Sequence, residues 1–273
     1  MARQYGIDHT SNGLITFIDA DDTFNGAFAL TALVTGLNEQ PNVVMTVGVF
    51  DEIHQTNLPE GIIGPLVVPH ENDLIWMFGK MYRRTFIDKY NIRFHKTSRA
   101  NEDNGFNTIC NLCSNDLERI NFIQAHVYYW HENLNSITRI NDCQYSYGSS
   151  ERDSFYGYVE NMIYAITEAR KKNPYNGYIS MWAVNCMIHL YTYYVECCVK
   201  APEHAPINLK WCKKYYDEIY ASIKDTIPQE AFAQQHNEIM KNSYLGDKFA
   251  GFIPTMHIYD FLDMLHNMKI EEE

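Results

Sequence analysis

Three aspartates stand at the end of a short apolar run in ITFIDADDTF, residues 15–24. Asp19, Asp21 and Asp22 follow residues 14–18, whose composition is typical of a buried strand. Carboxylates at the end of a strand can hold a hard divalent cation, and such a cation can neutralise the phosphate oxygens of a substrate. The same side chains could instead cap a following helix at a solvated turn, so the cluster alone leaves both interpretations open.

A second acidic pair, Glu102 and Asp103, follows Asn101 in the stretch NEDNGFN. Asparagine is favoured at helix N-caps, and acidic side chains in the first turn interact favourably with the helix dipole. The pattern therefore predicts a helix that begins near residue 102, and helix stabilisation alone would explain the pair. A chemical role would require other elements to bring both acidic clusters to one cleft.

The opening of the chain indicates elements that could do this. Residues 14–18 are predicted to be a strand, residues 24–37 a helix, and residues 42–50 a second strand, which together give a βαβ pattern. Parallel sheets place ligands at the carboxyl ends of their strands, where the loops gather. The three aspartates lie at such an end.

The rest of the chain continues as a mixed α/β pattern and then becomes helical. Residues 52–70 are predicted to be a loop or irregular hairpin, residues 73–90 a helix, and residues 120–132 a strand. A polar run at 141–154 marks a predicted domain boundary. Beyond it, residues 155–273 carry apolar side chains at helical spacing, which predicts a helical region.

Charge and composition exclude several classes of protein. The formal net charge is -12 over 273 residues, and no basic block is longer than residues 170–172, which argues against broad binding to nucleic acid. The apolar stretch at 61–69 is too short for a bilayer, and the first residues lack the apolar core of a signal peptide, so we expect a cytoplasmic protein. The single CxxC, Cys110 and Cys113, predicts reduced structural thiols on a helix rather than a zinc site.

Four stretches, taken in order, resemble the family 2 glycosyltransferases. They are ARQYGIDHTSNGLITFIDADD at 2–22, GKMYRRTFIDKYNIRF at 79–94, NEDNGFN at 101–107 and YYWHENLNSITR at 128–139. Each is similar to a family motif: an Arg and Gly-Ile before Asp-x-Asp-Asp, a Lys-x-Tyr-Arg-Arg segment, a Glu-Asp pair, and a Ser-Ile-Thr-Arg ending. Each motif alone is weak, but four in the same order make a specific match.

The resemblance implies an α/β fold of the GT-A type, with a truncated Rossmann-like mixed sheet and flanking helices, followed by a helical C-terminal region. The implied domains are a catalytic domain at 1–150 and a helical extension at 151–273. The implied activity is transfer of a sugar, with inversion, from a nucleotide-sugar donor to an acceptor hydroxyl. The acceptor would be a glycan, a lipid-linked sugar, a polymer or a protein.

The match also implies roles for the two acidic clusters. Asp19 and Asp21 would form the Asp-x-Asp motif that binds Mn²⁺ or Mg²⁺ against the donor diphosphate, and Asp21 in particular is expected to contact the cation directly. Asp22 would support the donor site from beside it. Asp103 would be the catalytic base that takes the proton of the acceptor hydroxyl, with Glu102 helping to position it.

Four further residues match the family's donor-side contacts. Arg3 corresponds to an arginine near the donor nucleotide and could pair with phosphate or with Asp19. His131, Ser136 and Arg139 lie where the family often places contacts to the diphosphate, although the family usually has Arg or Lys in place of His131.

The family normally carries a further strand-and-helix unit, which grips the base and ribose, ahead of the arginine motif at Arg3. Without that unit the sheet would expose an unpaired edge beside residues 14–19. We therefore expect a partner chain at this edge, as in a split enzyme. A chain whose start has been cut or misassigned is another explanation of the missing unit, and a noncatalytic structural relative of the same fold is an alternative. A second alternative is a phosphatase similar to the haloacid dehalogenases, with Asp19 as nucleophile and Asp21 as general acid, although Gly246 and Asp247 do not continue into that family's later acidic motif.

Overall fold

A computed structural model of the chain describes residues 2–55, 58–96, 100–134, 145–223 and 256–269. The chain divides into two compact units, the first formed by residues 1–97 and 102–139 and the second by residues 98–101 and 140–273. The domain boundary near residue 150 that the sequence suggests remains a prediction.

The first unit combines a sheet with helices. Its described helices are α1 (Ala2–Asp8), α2 (Ala29–Asn38), α3 (Arg84–Lys89) and α4 (Glu102–Cys113). Its described strands are β1 (Leu14–Thr16), β2 (Thr23–Phe24), β3 (Val43–His54), β4 (Leu66–His70), β5 (Lys80–Arg83) and β6 (Arg119–His131).

The strands form one mixed sheet in the order β1, β5, β3, β6, β2, with β4 paired to β3 as a hairpin. Strand β5 is antiparallel to both β1 and β3, so β1 and β3 run in the same direction without being neighbours. Strands β3 and β6 are parallel, which brings their carboxyl ends to the same edge of the sheet. The predicted fold class, a mixed α/β sheet with flanking helices, is confirmed.

The predicted helix at 73–90 is wrong. Residues 73–79 are irregular, with bends and a turn at 78–79, Lys80–Arg83 is strand β5, and the helix begins only at Arg84. The local spacing of apolar residues is compatible with a helix, but β5 fills the position between β1 and β3, and these ladders decide its conformation. Gly79, directly before the strand, has φ +63, which ends any helical continuation from the preceding turns.

The predicted helix at 24–37 begins too early. Thr23 and Phe24 pair instead with Tyr129 and Tyr128 as strand β2, and α2 starts at Ala29. This pairing lays the segment just after the three aspartates along the carboxyl half of β6. It therefore fixes the acidic turn at the sheet edge.

Glycine lets two backbones meet inside the sheet. The N–H of Gly48 in β3 donates to the carbonyl of Gly79, at 2.9 Å. A β-carbon on Gly48 would stand 2.5 Å from Val127 Cγ2, and one on Gly79 would stand 3.3 Å from the carbonyl oxygen of Gly48. A side chain at Gly79 would therefore push the start of β5 away from β3, and one at Gly48 would press against β6.

The second unit is helical where it is described. It contains α5 (Ser154–Lys172), α6 (Tyr178–Lys200), α7 (Ala205–Ile223), α8 (Ile258–Asn267) and a single 3-10 turn at Pro202–His204. The predicted apolar face of α5, including Phe155, Val159 and Met162, is buried, which confirms the helical spacing. Among the described helices, none has both the length and the apolar character needed to cross a bilayer.

Candidate functional site

Asp22 is the buried anchor of the acidic turn. One carboxyl oxygen accepts the O–H of Tyr128 at 2.7 Å, and the other accepts the backbone N–H of His131 at 2.9 Å. Its own N–H donates to the carbonyl of Asp19, which closes the turn. Burial raises the pKa of Asp22, the two hydrogen bonds lower it, and the charges of Asp21 and Asp19 raise it further. Asp22 therefore fixes the loop to β6.

Arg3 joins the two acidic clusters. Its guanidinium donates to both carboxyl oxygens of Asp19, at 2.6 and 2.9 Å, and to Oε1 of Glu102 at 2.6 Å. Burial opposes the charge of Arg3, but the two carboxylates outweigh it and raise its pKa. The end of the first strand and the start of α4 thus meet at one side chain.

Asp103 lies next to this bridge, in the first turn of α4. Its carboxyl is buried, and Oδ1 accepts the N–H of Asn104 at 2.9 Å. Burial raises the pKa of Asp103 to about 6, the neighbouring charge of Glu102 adds to this, and Arg3 acts in the opposite direction. A carboxyl with a pKa near the working pH is suited to accept and return protons.

Residues at and just after the carboxyl end of β6 also contact the acidic turn and the strand that follows it. Asp21 is exposed, and its Oδ2 accepts from Nδ2 of Asn133 at 2.8 Å. The His131 ring nitrogen Nε2 is 3.0 Å from Oγ1 of Thr23, so the ring contacts β2. The backbone N–H of the same residue donates to Asp22 in the acidic turn. The role expected of the His131 ring, contact with a donor diphosphate, remains a prediction.

The structure brings together most of the residues that the sequence singled out. Arg3 is in direct contact with both Asp19 and Glu102, and the remaining aspartates lie within three residues of one of these carboxylates in the chain. Ser136 and Arg139 lie outside the described residues, so their placement stays a prediction.

Tyr128 and Asn133 were missed by the sequence reasoning. Tyr128 is completely buried, donates its O–H to Asp22 and accepts the backbone N–H of Asp19 at 3.2 Å. A tyrosine three residues from a strand end, opposite an acidic turn, is the signal that was available. Asn133 gave no signal, because its contact with Asp21 depends on the register of β6.

Lys80 is the other residue that the sequence reasoning missed. It is completely buried in β5, with Nζ 3.3 Å from Oδ1 of Asp73 and 3.3 Å from the carbonyl oxygen of Phe78. Burial lowers the pKa of Lys80 to about 8, although Asp73 and Asp103 act to raise it. The motif GKMYRR contained this lysine, but a helical interpretation gave no reason to bury it.

Asp19 and Asp21 differ in what they offer a divalent cation. Mg²⁺ and Mn²⁺ prefer oxygen ligands and are often held by one or two carboxylates together with substrate phosphates. Asp21 fits this chemistry, since it is exposed and its Oδ1 has no partner among the described residues, whereas both oxygens of Asp19 contact Arg3. Within the part of the chain that is described, no three His, Cys, Asp or Glu side chains form a closed metal site.

The fold is similar to solved structures of S. aureus TarS, a glycosyltransferase. The TarS 1-349 fragment in complex with UDP-GlcNAc is 14% identical, with a TM-score of 0.57, and the match covers 96% of this chain and 69% of that one. The same fragment in complex with UDP is 13% identical, with a TM-score of 0.53 and coverage of 91% and 70%. A further TarS structure is 13% identical, with a TM-score of 0.55 and coverage of 88% and 40%. No family model and no curated protein sequence matches the chain.

The likeness to TarS establishes a glycosyltransferase-like fold for this chain. It agrees with the fold that the sequence motifs imply. At this level of identity it establishes the architecture alone, and the activity has to be argued from the side chains.

Proposed function

We propose that this chain is a glycosyltransferase that moves a sugar from a nucleotide-sugar donor to an acceptor hydroxyl with inversion. The observation that carries the proposal is the guanidinium of Arg3, which binds the strand-end carboxylate Asp19 and the helix-start carboxylate Glu102 at once. Two acidic clusters at one point fit a reaction that handles a phosphate leaving group and a hydroxyl nucleophile together. The fold shared with TarS, which binds UDP-GlcNAc and UDP, supports this reading.

Asp103 is the proposed catalytic base. The acceptor oxygen attacks the anomeric carbon and forms the new C–O bond, while its proton passes to the carboxylate of Asp103. The bond from the anomeric carbon to the diphosphate oxygen breaks, and the nucleoside diphosphate leaves with the electron pair. Direct displacement from the opposite face inverts the anomeric centre. The raised pKa of Asp103, about 6, suits it to this proton transfer, and Glu102 keeps it oriented.

The donor side of the proposed site is formed by the acidic turn and β6. Asp21, with Asp19, would hold Mn²⁺ or Mg²⁺, which when bound neutralises charge on the leaving diphosphate. Asp22 keeps both aspartates on the turn through its bonds to β6. Arg3 and His131 would contact the donor phosphates, and Ser136 and Arg139 belong to the same proposal although they lie outside the described residues.

The proposal includes a partner at the edge of the sheet. Strand β1 ends the strand order on one side, and among the described residues its ladder is with β5 alone. Such an edge accepts another strand readily. We therefore propose that a further strand-containing unit, supplied by a second polypeptide, completes the donor site, and that the protein acts in the cytoplasm. The acceptor hydroxyl would belong to a glycan, a lipid-linked sugar, a polymer or a protein.

Neither of the two alternative functions, a phosphatase and a noncatalytic structural protein, gains specific support. A phosphatase would use Asp19 as a free nucleophile, but both of its oxygens contact Arg3. A purely structural role does not explain why Asp103 is buried beside another carboxylate, an arrangement that disfavours its charged form.

Calorimetric titration with UDP and UDP-GlcNAc, with and without Mn²⁺, tests the proposal. We expect Asp21→Ala to remove Mn²⁺-dependent binding, Asp103→Ala to keep binding and lose transfer, and the exposed Asp116→Asn to behave as wild type. Nucleotide sugars with other bases should be titrated in the same way. Lack of Mn²⁺-dependent binding to every nucleotide sugar, by the chain alone and by complexes purified from its source, would refute the function. Normal affinity of the chain alone would refute the need for a partner.

A further inference from the structure

Arg84 holds the segment of chain to which Arg3 belongs. Its guanidinium donates from Nη1 to the carbonyl of Ile7 at 2.9 Å and from Nε to the carbonyl of Asn12 at 2.6 Å. A third N–H donates from Nη2 to Oγ1 of Thr10, at 2.6 Å. One side chain at the junction of β5 and α3 therefore ties down both the end of α1 and the chain that leads from it into β1.

Helix α1 needs such an anchor to place Arg3. It has only seven residues, and isolated helices shorter than about 12 residues are marginal in water. The last carbonyls of a helix have no partner within it, and a cation at that end also interacts favourably with the helix dipole. Arg84 supplies both a donor and a positive charge there, through Ile7. Ile7 lies four residues beyond Arg3, about 6 Å along the helix axis.

The position of α1 decides whether Arg3 can bridge the two acidic clusters. Its two terminal nitrogens approach different carboxylates, Nη1 that of Glu102 and Nη2 that of Asp19, both at 2.6 Å. The guanidinium is planar and the spacing of its N–H groups is fixed, so it satisfies both carboxylates over only a narrow range of positions and orientations. Whatever fixes the helix therefore helps to fix the bridge.

We propose that Arg84 is a positioning residue that holds Arg3 between the two acidic clusters, where it meets the donor phosphates. This inference rests on the proposed function, in which Arg3 contacts those phosphates. Arg84 acts through α1 and does not itself touch the donor. The fork of a guanidinium is required rather than a charge alone, because three N–H groups reach three separate acceptors along residues 7–12.

The neighbouring Arg83 makes the same kind of contacts to a different part of the first unit. It donates from Nε to the carbonyl of Val43 at 2.7 Å, and from Nη2 to the carbonyl of Leu37 at 2.8 Å and to Oδ1 of Asn38 at 3.0 Å. These acceptors belong to the end of α2 and the start of β3. Arg83 is thus a matched control for the loss of one charge and of its carbonyl contacts.

Spectra of the guanidinium N–H groups of Arg3, recorded by ¹H–¹⁵N NMR on the full chain without substrate, test the positioning directly. The signals are assigned by their loss in Arg3→Met, and hydrogen bonds to two carboxylates should slow their exchange with water. Arg84→Gln and Arg84→Lys should each abolish this protection, whereas Arg83→Gln should keep it.

Arg84→Lys retains the charge and decides alone if Arg84→Gln fails to fold. Protected Arg3 signals that persist in the Arg84 variants overturn the proposal. So does an equal loss of protection in Arg83→Gln, or the absence of protected Arg3 signals from wild type.

A double-mutant cycle on UDP binding, measured by calorimetry with Mn²⁺, tests the consequence for the donor. Arg3→Met should weaken binding about tenfold, because a charge-assisted contact is lost. Arg84→Gln should weaken binding in the wild-type background and have no further effect in the Arg3→Met background. An equal loss in both backgrounds overturns the proposal, because Arg84 would then act independently of Arg3. If neither the wild-type chain nor complexes purified from its source bind UDP, the proposed function fails on this donor, and the spectra without substrate still decide whether Arg84 places Arg3.

Discussion

Replacing Asp103 by asparagine should stabilise the folded chain above pH 6. The pKa of this carboxyl is about 6 in the folded state against an ordinary value of 3.8, because the side chain is buried beside Glu102. A difference of about two pH units corresponds to about 3 kcal/mol. Asparagine is isosteric, keeps an oxygen that can accept the N–H of Asn104, and has no charge to bury.

The sign follows from the raised pKa. The folded state binds the proton of Asp103 more tightly than the unfolded state, so this contribution to stability is complete below pH 3.8 and is lost as the pH rises through about 6. Urea unfolding of wild type and Asp103→Asn, followed by tryptophan fluorescence between pH 4 and pH 8, measures it. The free energy of unfolding of the variant should exceed that of wild type by about 3 kcal/mol at pH 7, with the difference vanishing toward pH 4.

Asp116→Asn provides the matched control, because Asp116 is an exposed aspartate in the turn that follows α4. It should follow the wild-type dependence on pH. If Asp103→Asn also follows the wild-type curve, Asp103 is not held in an environment that disfavours its charge, and its proposed suitability as a base loses its physical reason.

Three other substitutions test the supports of the site. Tyr128→Phe should cost about 1–3 kcal/mol in urea unfolding, because a carboxyl oxygen of buried Asp22 loses its hydroxyl donor, and unchanged stability would contradict this. Gly48→Ala should cost about 1–3 kcal/mol, because the new methyl group would stand 2.5 Å from Val127 Cγ2, and a thermal melt equal to wild type would refute the close approach. Arg3→Met should raise the pKa of the Asp103 carboxyl above about 6, measured by ¹³C NMR, because the charge of Arg3 lowers that pKa. The loss in free energy of unfolding should be only about 1 kcal/mol, since the ion pairs of Arg3 are partly exposed. A lowered pKa of Asp103 would contradict this effect of Arg3.

The sequence was informative where chemistry and local pattern coincide. A strand just before the aspartates and a helix that starts at Glu102 are both readable from neighbouring residues; the helix starts as predicted, and the strand is present but ends at Thr16, two residues earlier than predicted. The contact between them was only an expectation drawn from the resemblance. Arg3 and Glu102 are 99 residues apart, and no local pattern encodes their pairing.

The features of the fold that could not be predicted from the sequence depend on long-range strand pairing. Residues 73–90 carry apolar side chains at a spacing that suits a helix. Lys80–Arg83 nevertheless forms a strand, because it pairs with β1 on one side and with β3 on the other. The burial of Lys80 follows from that ladder and is invisible without it. A charged residue inside a strand is expected at the surface, so only the assembled sheet reveals the lysine as an interior group.

The contact between Gly48 and Gly79 determines how freely this interior can vary. Side chains in a core can exchange volume with their neighbours, but two touching backbones leave no volume to exchange. The end of the turn that carries Asp73 is thereby joined to β3 through main chain, and the Asn107 side chain holds the middle of the turn by donating to the carbonyls of Ile75 and Trp76. Repacking of apolar side chains by substitution should therefore leave Lys80 where it is, whereas one added methyl group at Gly79, directly before Lys80, should displace it.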